Sequence, residues 1–122
     1  MSNAPVLVDT SIWITHLRGD EDRLVKELEQ GYVLCHPFVI GELACGTLEN
    51  RREILSLLEA LPRSPAISDK EALHFIHRNE LYSKGIGLID IHLLASATLA
   101  RARLWTGDRR LSQVAKTLGL SM

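Results

Sequence analysis

Pro5-Val6-Leu7-Val8-Asp9-Thr10-Ser11-Ile12-Trp13 starts as a short apolar run and breaks at an acid followed by two hydroxyl residues. It continues with Ile12, Trp13 and Leu17 at helical spacing as far as Gly19. That order is strand, turn, helix. The same grammar returns twice. Residues 32–35 form a second strand candidate, after which Pro37 suits a first helical turn. Val39, Ile40, Leu43 and Ala44 then follow at helical spacing, with Glu42 among them. Leu104-Trp105-Thr106 is the third candidate; Gly107-Asp108 turns, and Leu111, Val114, Ala115 and Leu118 mark a last helix closed by Gly119. Strands that alternate with helices predict an α/β fold, a mainly parallel central sheet with helices on both faces. In such a sheet, sites form beyond the carboxyl ends of the strands. Asp9 and Asp108 fall there.

The intervening chain is helical in pattern. Asp20 is placed to cap a helix carrying Leu24, Val25 and Leu28 and stopped at Gly31. Residues 49–61 carry Ile54, Leu55, Leu57, Leu58 and Leu61 on one face before Pro62, and residues 65–67 offer a short further strand. Ser68-Asp69-Lys70-Glu71 has capping-box spacing and predicts a helix through about Lys84, with Gly85 as its stop. Asp90 stands just before residues 91–102, a helix apolar on nearly every side and so expected in the interior. Leu120 is a candidate edge strand. Neither repeat, low-complexity segment nor linker interrupts the pattern.

With 122 residues and 46% apolar content, the chain fits one core, a single domain over residues 1–122. Residues 1–4 read as a flexible lead-in or a remnant of cloning. No apolar run approaches the roughly 18 residues of a membrane helix, and no basic segment precedes an export-type apolar one, so a cytoplasmic protein is expected. Cys35 and Cys45 show neither CxxC nor zinc spacing and read as reduced, buried thiols. A net charge of −1 argues against nucleic-acid binding by bulk electrostatics, yet Arg101, Arg103, Arg109, Arg110 and Lys116 surround Asp108 as the one acid of residues 101–122.

Asp9, Glu42, Asp90 and Asp108 are thus four carboxylates that one cleft would gather. In a partly dry site they repel and take up protons unless a cation compensates them. Oxygen-only donors favour a hard octahedral ion, Mg²⁺ or Mn²⁺, whose retained waters exchange for phosphoryl oxygens. Singly, each acid has an ordinary alternative: Asp9, Asp90 and Asp108 suit helix caps, and Glu42 a solvated helix face. Composition does not choose between these.

Val-Leu-Val-Asp9-Thr10-Ser11, Glu42 in an early helix, Leu88-Ile89-Asp90 opening an Ala-rich helix and Thr106-Gly107-Asp108-Arg109-Arg110-Leu111 together resemble a PIN domain. The size is similar to the VapC-type toxins of type II toxin–antitoxin pairs. The resemblance spans about residues 5–120 and implies a Mg²⁺- or Mn²⁺-dependent endoribonuclease preferring single strands. It implies Asp9, Asp90 and Asp108 as metal ligands, Glu42 acting through water, and Ser11 and Thr106 orienting carboxylates or waters. It also implies a homodimer and a cognate antitoxin contacting residues 20–30 and 49–61. Arg109 and Arg110 are the better candidates for the RNA backbone, ahead of Arg101 and Arg103. One departure from the pattern is His92, where relatives more often carry an apolar residue; packing, a hydrogen bond or a substrate contact would each account for it. His36 reads as structural, and His74 and His77 as solvated surface.

Two other classes compete. A receiver-like phosphoacceptor also sets acids at strand ends, but it wants an early acidic pair and an acceptor Asp after a mid-chain strand, both missing here. A PIN-like domain that binds RNA or protein without cutting is separable only by assay.

Overall fold

In the computed structural model, residues 4–19 and 22–122 are described. The strands are β1 (Val6–Val8), β2 (Val33–Leu34) and β3 (Arg103–Trp105). The helices are α1 (Thr10–Leu17), α2 (Asp22–Gln30), α3 (Pro37–Cys45), α4 (Arg51–Glu59), α5 (Asp69–Arg78), α6 (Leu88–Ala100) and α7 (Arg109–Thr117). Both strand pairings are parallel, in the order β2-β1-β3. Single parallel bridges, Cys35 to Arg63 beside β2 and Leu104 to Ser121 beside β3, widen the sheet at each edge.

β1 sits in the middle for a reason legible in its residues. Val6, Leu7 and Val8 are at most 1% exposed, although successive strand side chains point to opposite faces. Both faces of the sheet are therefore covered, as parallel pairing requires. α6 supplies much of that cover: all of residues 91–97 are buried, His92 and Ser96 included. Small Ala95 and Ala97 let it lie close, and Ser96 donates its hydroxyl proton to the Pro65 carbonyl, which satisfies a polar group inside an apolar layer. The apolar interior is one contiguous cluster reaching from β1 and β3 to α2, α4 and α7.

Several boundaries depart from the sequence expectations. The strand expected at residues 65–67 is absent; pairing occurs two residues earlier, at Arg63, where the Ser64 N–H donates to the Cys35 carbonyl at 3.2 Å. The edge at residue 120 is likewise one bridge, at Ser121. α5 has the expected capping box, but it stops at Arg78 instead of about Lys84. There Asn79 caps the helix, Glu80 enters the left-handed region at φ 52°, and the Leu81 N–H turns back to the Ile76 carbonyl at 2.9 Å. Burial of Leu81 rewards that reversal. α6 begins at Leu88, so Asp90 lies inside its first turn; its far end is Ala100, with Arg101 at φ 54°. Cys35 is buried as expected, whereas Cys45 is exposed. Asp20, expected to cap α2, and residues 1–3 of the lead-in lie outside the described residues.

Leu7 is fully buried at the centre of the sheet. Leu7→Ala should cost about 3 kcal/mol of unfolding free energy, measured by urea denaturation. Ser68→Ala, which removes the capping hydroxyl of α5, should cost about 1 kcal/mol.

Candidate functional site

Parallel pairing of β1 with β3 sets Val8 beside Trp105, so the residues that leave the two strands emerge together. The ladder runs one step further, with the Asp9 N–H donating to the Trp105 carbonyl at 2.9 Å. Beyond it the Asp9 carboxylate, 8% exposed, collects three donors. Oδ1 accepts the Thr10 N–H at 2.7 Å. Oδ2 accepts the Thr106 hydroxyl at 2.7 Å and the Ser11 hydroxyl at 3.2 Å.

Each of those hydroxyls also accepts a hydrogen bond from the turn that carries the next acid. The Gly107 N–H donates to Ser11 Oγ at 2.9 Å and the Asp108 N–H to Thr106 Oγ1 at 3.0 Å. A hydroxyl has one proton to give, and both give it to Asp9. The turn at residues 107–108 is thereby fixed onto the first acid, and Gly107 suits the fit because a Cβ there would stand 3.4 Å from Ser11 Oγ. Asp108 itself caps α7, accepting the Leu111 N–H at 2.9 Å. For Asp9 and Asp108, capping and membership of the acid cluster coexist.

The other two acids approach from α3 and α6. Glu42 is exposed, and its Oε1 accepts the Thr10 hydroxyl at 2.6 Å. Thr10 thus links two acids, by its backbone to Asp9 and by its side chain to Glu42; the sequence reading missed that role, although the residue stood in full view between Asp9 and Ser11. Asp90 is half-buried at the start of α6, where no side chain caps the helix. Its own Oδ2 reaches back to accept the Gly87 N–H at 3.0 Å. Burial raises the Asp90 carboxyl pKa above its ordinary 3.8; the Gly87 N–H opposes this, and the charges of Asp9, Asp108 and Glu42 raise it further. Asp90 thus lies within the field of the other three acids.

Such a field is the electrostatic condition a cation relieves. Among the described residues no three Asp, Glu, His or Cys side chains form a ready-made cage. A Mg²⁺-class ion does not need one, since it keeps several waters and takes one or two carboxylates directly. The donor set, oxygen throughout, fits that ion.

The remaining candidates fall into place by position. Arg109 and Arg110 are exposed at the start of α7, next to Asp108. The Arg110 guanidinium leans over the chain before α6: a Cβ on Gly85, whose φ is +76°, would lie 2.8 Å from its Nη1. Arg101, the C-cap of α6, lies about 16 Å beyond Asp90 along the helix at 1.5 Å per residue, and Arg103 opens β3 just after it. His74 and His77 are exposed on α5. His36 caps α3, its Nδ1 accepting the Phe38 N–H at 2.9 Å, and is buried. His92 is buried as well and packs its ring against Phe38.

An α/β sheet in the order β2-β1-β3 with acids gathered at its carboxyl edge defines a class, and the comparisons agree on which. The sequence model of the PIN domain matches residues 6–117, and the chain belongs to the PIN-domain family. It is also 42% identical over 118 residues to Ribonuclease VapC32 of Mycobacterium tuberculosis, in strains CDC 1551 / Oshkosh and ATCC 25618 / H37Rv alike. The matched segment covers 96% of this chain and 95% of each relative.

The folded chain holds the Asp90 proton to higher pH than the unfolded chain does. In metal-free protein the Asp90 contribution to stability is therefore lost as pH rises from near 3.8 through the folded value. Asp90→Asn keeps an acceptor for Gly87 and removes the repulsion. Thermal unfolding in EDTA across the weakly acidic range should show the variant matching wild type at the acid end and melting higher towards neutrality.

Proposed function

We propose that this chain is a Mg²⁺- or Mn²⁺-dependent endoribonuclease, the toxin of a type II toxin–antitoxin pair. The observation that carries the reading is the Asp9 hydrogen-bond knot with Asp108, Glu42 and Asp90 in the same field. It stands in a chain 42% identical, along nearly its whole length, to a protein named as a ribonuclease. Asp9, Asp90 and Asp108 are the groups that would hold the ion, with Glu42 reaching it through water. When bound, the ion supplies an activated water and stabilises charge on the phosphodiester.

The chain's own residues supply the rest. Three donors on Asp9 fix the direction of its carboxylate. Thr10 holds Glu42 at the mouth of the cluster, where it orients water towards phosphorus. Arg109 and Arg110 form the cationic rim that an acidic pocket needs to draw in a polyanion.

The antitoxin has a groove to occupy. A cavity of about 720 Å³ lined by Ile14, Leu17, Arg18, Glu42, Leu48 and Ile54 runs between α1, α3 and the start of α4 up to the fourth acid. A segment seated there with a basic residue on Glu42 would close the site. Leu73 on α5 and Leu99 on α6, 65% and 59% exposed, give a homodimer an apolar face. Among the described residues no helix is long and apolar enough to cross a membrane, in keeping with a cytoplasmic site of action.

Purified protein, free of antitoxin, should cleave members of a mixed RNA panel with Mg²⁺ or Mn²⁺ and none with EDTA. Thr106→Val, which keeps shape and removes the hydroxyl, should lower the rate by about 10–100-fold, and Asp9→Asn by more. RNA binding without cutting under any metal, by correctly folded protein, would favour the non-catalytic binding domain instead.

A further inference from the structure

One helical turn ahead of Glu42, α3 carries an aromatic side chain that the four-acid reading leaves unused. Phe38 shares a face with Glu42, because residues i and i+4 are neighbours on a helix. It is 41% exposed, yet it is held firmly from within. Its ring lies 5.1 Å from that of His36 at an interplanar angle of 60°, and 4.8 Å from that of His92 at 61°. Both histidines are buried, at 1% and 3% exposure.

The two histidines act as apolar support. His36 accepts the Phe38 N–H through Nδ1, which leaves its proton on Nε2, and that nitrogen has no hydrogen-bond partner among the described residues. Burial first, then the charges of His92 and Arg63, lower its pKa to about 4, so the ring stays neutral. His92 gives its buried ring to the same aromatic group.

Placement sets this ring beside the acids. His36 leaves the sheet after β2 as Asp9 leaves it after β1, and neighbouring strands stand about 4.8 Å apart. His92 stands two residues beyond Asp90 on α6. Phe38 therefore lies on α3 one turn from Glu42, with its ring against the first half of α6 through His92. An RNA whose phosphate is held at the acids brings a base within one nucleotide's length of that ring. Unpaired bases are recognised by stacking on aromatic side chains, with little dependence on base identity. A base inside a duplex has both faces covered by its neighbours.

We propose that Phe38 is a base-stacking platform that receives the nucleobase flanking the phosphodiester held at the carboxylates, so that the site takes single-stranded RNA. This rests on the ribonuclease reading above, and its failure is distinguishable from the failure of that reading. The test is single-turnover cleavage with Mg²⁺ at increasing protein concentration, on two single-stranded oligoribonucleotides. One is intact, and the other carries an abasic ribose at the position flanking the cut.

For wild type, loss of that base should raise the half-saturating protein concentration about 10-fold. Phe38→Ala and Phe38→Leu should raise it similarly on the intact strand and show no further loss on the abasic one, because variant and missing base remove the same contact. Phe38→Tyr, which keeps the ring, should stay within about 2-fold of wild type. Leucine keeps apolar bulk for His92, so a variant that merely repacks would behave as wild type. Phe38→Leu binding as tightly as wild type, or discriminating against the abasic strand as strongly as wild type does, would overturn the platform. Absence of cleavage by wild type would instead count against the ribonuclease reading. Stacking would then be read from anisotropy of the same two labelled strands, with the same pattern expected and the same pattern decisive.

Discussion

The hydrogen bond from the Thr106 hydroxyl to Asp9 joins residues 97 positions apart in sequence, and the functional edge of the molecule depends on it. It forms because β1 and β3 pair in parallel and end at the same level. Each strand then releases a polar side chain into the space beyond the apolar sheet. Ser11 repeats the link from the helix side. Without these two hydroxyls, the turn at residues 107–108 would lose its links to Asp9, and the Asp9 side chain would keep the Thr10 N–H alone. A buried charge is tolerable only when hydrogen bonds or opposite charge compensate it.

That compensation is incomplete by design of the site. Asp9 is served by three donors, but Asp90 meets three other carboxylates and one N–H. The fold carries this repulsion at one edge of the sheet and offsets it with a continuous apolar interior, in which β1 and residues 91–97 of α6 are wholly buried. Functional sites commonly sit at such a cost to stability. A divalent cation placed among such carboxylates would relieve the same repulsion.

The acids and the aromatic ring at their side obey one positional rule. Asp9, His36 and Thr106 each follow the carboxyl end of a parallel strand, and Asp90 and Asp108 stand in or just before the first turn of a helix, with Glu42 one turn further along α3. Helix starts expose unpaired N–H groups, which explains why the same carboxylates serve as caps: Asp108 for α7, Asp90 reaching back to Gly87. At these positions capping and membership of the acid cluster are compatible.

The alternation of apolar runs and helical patterns made the parallel α/β architecture legible, and the order of the four acids with their D-T-S and T-G-D-R-R settings made the family legible. These are local signals: periodicity, turn residues and spacing survive in a linear string. The boundaries that were misplaced depended on contacts distant in sequence. α5 ends at Arg78 because Leu81 is drawn into the core, and α6 starts at Leu88 without a capping side chain because Asp90 supplies one from inside the helix. The edge bridges at Arg63 and Ser121 are one residue long and leave no period-2 trace. Thr10 as the tie between Asp9 and Glu42, and the packing of Phe38 between two buried histidines, were decided by tertiary structure alone. A side chain's partner across the fold is fixed by which elements meet, and that is settled only once the whole apolar interior has closed.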